Sequence, residues 1–255
     1  MKFWFITLLH LLLPKGYGFQ SRLRDDPDPK KLKHAKSIYL NAGKLDWHTD
    51  KHGIKKRNYD SHEGYRIHQQ AKLDSILAKG HGWKKRDIFE YRLRFWIRFR
   101  HLRSFLKRDA NLLCLGARQG TEVEVLQELG YRNSSGIDFN PGPDNPLVSQ
   151  GDFMDLDLPD NQLDFVYSNC LDHASDLDMF FAEQVRVLKK SGYFLMDIST
   201  CEEAGHFESQ EWDRPEDVLM VALQYFRDVT LLKREKRWLW VLMGQPIKKN
   251  DDDSA

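Results

Sequence analysis

Two glycines four residues apart, Gly116 and Gly120 in the stretch LLCLGARQGTEVEVL, have the clearest chemical use of any residues in this sequence. An apolar strand that stops in a Gly-x-x-x-Gly turn and restarts as an amphipathic helix carries the backbone N–H groups around Ala117 and Arg118 toward a ligand at the helix N-terminus. Thr121 and Glu124 fit a Ser/Thr-x-x-Glu capping box, which predicts a locally specified helix start. Asp138 follows Gly116 by 22 residues, close to the separation of about 20 at which a second-strand carboxylate reaches ribose hydroxyls. Two hydroxyl donors want an acceptor-only group, and a carboxylate is one. The dinucleotide fingerprint G-x-G-x-x-G would need glycine at 118 and 121, where the chain has Arg118 and Thr121, so hydride transfer is disfavoured.

A second group, Asn169, Asp172 and His173, follows the apolar run DFVYS. That is the carboxyl end of a predicted strand, where ligands sit in open α/β sheets. An imidazole titrating near neutral pH gives His173 the makings of a general base, with Asp172 beside it. A structural role in the strand-to-helix turn competes with this reading and is somewhat favoured. His48, His52, His62 and His68 have no nearby cysteine or carboxylate pattern, so no metal centre is expected from them. Tyr65, His68 and Lys72 share one face of a predicted helix that could cover a ligand, although an ordinary amphipathic face is the favoured reading.

The elements that must position these residues alternate regularly after Arg108. Strand NLLCL, helix TEVEVLQELG, strand SGIDF, a Pro/Gly loop, a short strand near GDF, strand LDFVYSN, helix LDMFFAEQVRVLKK and strand YFLMDIS follow one another. This β-α-β order predicts a parallel sheet with helices on both faces. The final DVTLLKREKRWLWVLMG has no room for a crossover helix and reads as an antiparallel hairpin. The expected fold is α/β and Rossmann-like, with seven mostly parallel strands.

The motifs in this order resemble the class I S-adenosylmethionine-dependent methyltransferases, in particular the methyltransferase type 11 group, over roughly Asn111 to Ser199. LCLGARQGTE is similar to that family's first motif, GIDFNP to its second strand, GDFMDL to its third, DFVYSNCLDH to its fourth, and RVLKKSGYFLMDIS to the helix and strand that follow. The resemblance implies S-adenosyl-L-methionine as cofactor, held by Gly116, Ala117, Arg118, Gly120, Asp138, Phe139 and Asn169. It further implies Asp152 on the adenine amino group and Phe153 lining the adenine pocket. Cys114 stands where the family commonly has an acid, and Arg118 where it has the middle glycine. Glu122 offers replacement charge for the cofactor amine, or simply favours the positive end of its helix. The acceptor is expected near Asp172, His173 and the loop STCEEAGHFESQEW, and the transfer needs mainly in-line alignment.

The 255 residues carry 41% hydrophobic side chains, enough for a sizeable core. The net charge of +1 hides an asymmetry: 26 Lys and Arg against 10 Asp and Glu up to Arg108, and 13 against 28 beyond it. Either a basic extension docks on an acidic domain, or a basic surface collects phosphate-bearing partners. The expected organisation is a basic, mostly helical extension over 1–108, a methyltransferase domain over 109–247 and an acidic tail over 248–255. In IFEYRLRFWIRFRHLRSFL, from Ile88 to Leu106, helical spacing puts Phe89, Leu93, Trp96 or Ile97, and Arg100 on one face, with Arg92, Arg98 and Arg103 pointing elsewhere.

The interleaved arginines and aromatics leave nucleic acid as a secondary partner class, behind a small-molecule, glycan or lipid-linked phosphate-bearing acceptor. RNA methylation and a non-catalytic scaffold are the alternatives. The apolar residues 3–13 are too short for a membrane span, and read as an anchor packed on the domain or touching a membrane surface of a cytoplasmic protein. A signal peptide cut near Gly16 or Gly18 competes with that reading. The three cysteines, Cys114, Cys170 and Cys201, read as reduced thiols.

Overall fold

A computed structural model describes residues 29–78, 88–142, 144–200 and 204–248. The apolar segment 3–13, Gly16, Gly18, Cys201 and the acidic residues of the tail lie outside the described residues.

Seven strands form the main sheet: β3 (Leu112–Leu115), β4 (Ser134–Asp138), β5 (Val148–Gln150), β6 (Leu163–Ser168), β7 (Leu188–Ser199), β9 (Phe226–Arg234) and β10 (Trp238–Pro246). Their spatial order is β5-β4-β3-β6-β7-β10-β9. The first five run parallel, and β10 pairs antiparallel with both β7 and β9, as the sequence predicts. Alternation along β3 builds two cores. Leu113 and Leu115 face a cluster with Phe180, Phe181 and Val218, from α5 (Leu177–Val187) and α6 (Pro215–Ala222). Leu112 and Cys114 face another with Phe95, Phe99 and Val125, from α3 (Ile88–Phe99) and α4 (Thr121–Glu128). Period-two side-chain direction thus fills both faces of one sheet.

Three local expectations are corrected. The extension, expected to be mostly helical, holds a hairpin between two of its helices: α1 (Pro29–Ala42), β1 (Trp47–Thr49), β2 (Lys55–Arg57) and α2 (His62–Ala78). A tight turn around Gly53, at φ +79°, closes it. The strand β2 also pairs with β8 (Gln210–Glu211), from the loop after β7, so the extension and the main domain share a small sheet. Helix α5 stops at Val187, and Leu188 is already extended, so LKK opens β7 instead of closing the helix.

The inward face of α3 is also shifted from the predicted one. Phe95, Arg98 and Phe99, with Leu102 beyond the helix end, are buried, whereas Arg100 is exposed. Phe95 and Phe99 meet the Tyr167 ring edge-on at 5.8 and 4.9 Å. Arg98 is admitted because its Nε donates to Asp197 at 2.5 Å and its guanidinium lies 4.5 Å from the Trp240 ring centroid. A buried cation needs such neutralisation, and sequence periodicity does not show where the partner lies.

The charge asymmetry has a structural basis. Lys51 meets Asp178, Lys55 meets Glu211, Lys56 meets Asp176, and Arg92 meets Glu124 and Glu128. The basic extension docks on the acidic domain.

Candidate active site

The turn after β3 is left-handed at both glycines, with φ +64° at Gly116 and +74° at Gly120. A Cβ at Gly116 would stand 2.4 Å from Cys170 Sγ, so backbone angle and space both oppose a side chain there, whereas one at Gly120 would stand 3.0 Å from Leu147 Cβ, so there the left-handed backbone is the main obstacle. Gly120 is the N-cap of α4, and Thr121 is its first helical residue. The predicted capping box therefore does not form. The left-handed Gly120 starts the helix one residue early, and Glu124 pairs with Arg92 instead. The turn's own N–H groups are used within the protein, Ala117 donating to the Ile137 carbonyl at 3.1 Å and Arg118 to Asp138 Oδ2 at 3.1 Å. The turn's contribution is thus to fix Asp138 and to present the first turn of α4.

Asp138, at the end of β4, accepts a second N–H from Asn140 at 2.7 Å on its other oxygen. Burial raises its pKa above the ordinary carboxylate range, and the Asn140 and Arg118 N–H groups pull it back. Phe139 packs edge-on against Tyr65, with ring centroids 5.6 Å apart. Asp152 is engaged on both oxygens. Oδ1 accepts the Met154 N–H at 2.8 Å, closing a tight turn, and Oδ2 faces His62 Nε2 at 2.7 Å.

At the end of β6, Asn169 leads into a 3-10 turn (Leu171–His173) that carries Asp172 and His173. The Nε2 of His173 accepts from Lys72 Nζ at 2.6 Å, and its Nδ1 donates to the Phe207 carbonyl at 3.2 Å. A lysine ammonium has only donors, which fixes this tautomer. Burial first, and the Lys72 charge second, push the imidazole well below its ordinary range. Burial raises Asp172, and Lys72 opposes that rise. Asp172, His173 and Glu208 bring one potential ligand atom each within 4.8 Å of one another. The Ser209 N–H bonds to the Asp172 carbonyl at 2.7 Å, and Gln210 Nε2 to that of Ala174 at 3.0 Å, tying this turn to the loop that carries Glu208.

Both groups open into one cavity of about 470 Å³, within the range of small-molecule sites. Every sequence-predicted site residue except Gly120 and Asp152 lines it. Helix α2 roofs it. Tyr65 donates to the His173 carbonyl at 3.0 Å, and Gln69 to Ser209 Oγ at 2.7 Å. The face Tyr65–His68–Lys72, read as ordinary, thus joins the site through Tyr65 and Lys72, while His68 bonds Tyr59 and the His206 carbonyl behind it.

Sequence reasoning missed Glu208, Gln69, and the wall made by Tyr91, Arg94 and Trp238. It also missed Arg57, which donates to the carbonyls of Leu45, Gly205 and Glu208 and so anchors the Glu208 loop. The only signal for Glu208 was its place in the long loop after the fifth major strand.

Residues 113–196 match the family described as a methyltransferase domain. Among solved structures, the chain is similar to a Burkholderia thailandensis 1,6-didemethyltoxoflavin-N1-methyltransferase with bound 1,6-didemethyltoxoflavin and S-adenosylhomocysteine. Identity is 19% and the TM-score 0.53, covering 78% of this chain and 99% of that one. It is also similar to a Pyrococcus horikoshii OT3 protein at 21% identity and TM-score 0.51, covering 62% and 93%. No curated protein sequence matches. The structural likenesses establish a shared fold.

Proposed function

We propose that the chain, whose residues 113–196 match a methyltransferase domain, is a class I S-adenosylmethionine-dependent methyltransferase that transfers the cofactor's methyl group to a small-molecule acceptor. A single cavity holding both the Gly116–Asp138 cradle and the Asp172–His173 group carries this reading. The residues suit the cofactor: a desolvated carboxylate held by two backbone N–H groups would accept from the ribose hydroxyls, Phe139 and Phe153 give apolar walls, and Glu122 stands at the first turn of α4. When bound, the cofactor supplies an electrophilic methyl on a sulfonium centre.

The protein's part is then alignment and exclusion of water. Asp172 and His173 meet the acceptor at the carboxyl edge of the sheet, and Tyr65 and Lys72 close over it from α2. His173 takes a proton from an acceptor only once Lys72 has left Nε2, because that lone pair is otherwise occupied. The roof favours a small molecule over a polymer, and the pairing of extension lysines and arginines with the acidic domain weakens the case for RNA.

The test is transfer from S-adenosylmethionine tritiated at the methyl group to separated small-molecule, lipid, glycan and RNA pools. Label in the small-molecule pool, reduced at least about a hundredfold by Asp138→Ala, is the expected result. Label confined to RNA or to lipid would overturn the acceptor class.

A further inference from the structure

The cavity's acceptor end holds more ligating chemistry than methyl alignment needs. Asp172, His173 and Glu208 converge there from two segments that are hydrogen-bonded to each other, and Arg57 fixes the backbone beside Glu208. The His173 ring is oriented as a ligand is. Its Nδ1–H donates to a backbone carbonyl, which leaves the Nε2 lone pair unprotonated on the side of the ring where Asp172 Oδ2 lies 4.0 Å away. Metal-binding histidines make this second bond almost always, because it selects the tautomer and raises the basicity of the ligating nitrogen. That lone pair meets a cation already, the Lys72 ammonium, delivered from α2 on a flexible stem.

We propose that Asp172, His173 and Glu208 form a divalent-cation site, in which Lys72 holds the cation's position until one binds. Two carboxylates and one imidazole suit a small transition-metal ion such as Mn²⁺ or Zn²⁺ better than Ca²⁺, which takes oxygen ligands in larger number. Three protein ligands leave further positions open toward the cavity, so the site is of the kind that receives an oxygen ligand from a substrate. Its place in catalysis rests on the methyltransferase reading above, and that reading then narrows to acceptors with an oxygen able to coordinate the ion. The cation site itself stands without it.

The full chain is titrated with Mn²⁺ alone, following loss of the free-ion electron paramagnetic resonance signal, with thermal melts to show that each variant is folded. One ion per chain is expected. Asp172→Asn and Glu208→Gln should each weaken binding by at least about tenfold, and Lys72→Met should tighten it, because no ammonium competes. No uptake by the folded chain at millimolar Mn²⁺ overturns the site, as does uptake that is unchanged in both carboxylate variants or weakened by Lys72→Met. S-adenosylhomocysteine binding without Mn²⁺ uptake removes the cation site and leaves the methyltransferase reading standing. The opposite pair of results does the reverse.

Discussion

At the residue scale, Gly116 joins the two halves of the site. Its left-handed backbone turns the chain from β3 toward α4, and the space where its Cβ would stand is filled by the Cys170 sulfur. Gly116→Ala should therefore destabilise the protein by about 2–4 kcal/mol, from a strained φ plus overpacking, and weaken cofactor binding in parallel. Gly120→Ala should cost less, its nearest contact being 3.0 Å from a side-chain carbon. Denaturant melts of the two variants check this, and equal stability of Gly116→Ala and the unaltered protein would contradict it. Both glycines and Asp138 were legible in the sequence, because turn geometry and the strand-to-strand interval leave few residue choices. The occupancy of His173 by Lys72 was not, since a contact across 101 residues leaves no local trace.

At the element scale, α3 is fastened to the back of the sheet by Arg98 and Asp197, with Tyr167 donating to the same carboxylate at 3.1 Å. Burial pushes Asp197 up to about 6 even beside the guanidinium, so the pair sits in a medium hostile to charge. Arg98→Met leaves that carboxylate without its cation and should cost about 3–5 kcal/mol, while Arg98→Met with Asp197→Leu should recover much of the loss. A double-mutant cycle measures this, and additive losses would show that the two groups act independently. The strands and their parallel order were readable from period and punctuation. The inward face of α3 was not, because periodicity treats arginine as a surface residue and cannot see Asp197. The hairpin Trp47–Arg57 was missed for a related reason: its strands are three residues each and find their third partner, β8, more than 150 positions away.

At the scale of the whole molecule, the extension and the domain act as one unit. Asp178 receives Lys51, His52 and the Tyr225 hydroxyl at one point of the junction. Burial would raise its pKa, but these three partners, Lys51 foremost, bring it down to about 2. A carboxylate depressed in the folded state contributes stability above its ordinary range near 4, and that contribution is lost as pH falls toward 2. The melting-temperature gap between the unaltered protein and Asp178→Asn should thus be full at pH 6 and shrink steadily below pH 4. A gap independent of pH would show that Asp178 does not work as a charge. Among the described residues no helix is long and apolar enough to cross a membrane.

Cofactor binding at Asp138 is tested most directly by calorimetric titration of the full chain with S-adenosylhomocysteine, set beside Asp138→Ala and an NAD control. One site in the micromolar range is expected, at least about a hundredfold weaker in Asp138→Ala, with no heat from NAD. A folded protein that takes up no S-adenosylhomocysteine, or one that binds it equally well without the Asp138 carboxylate, would contradict that expectation.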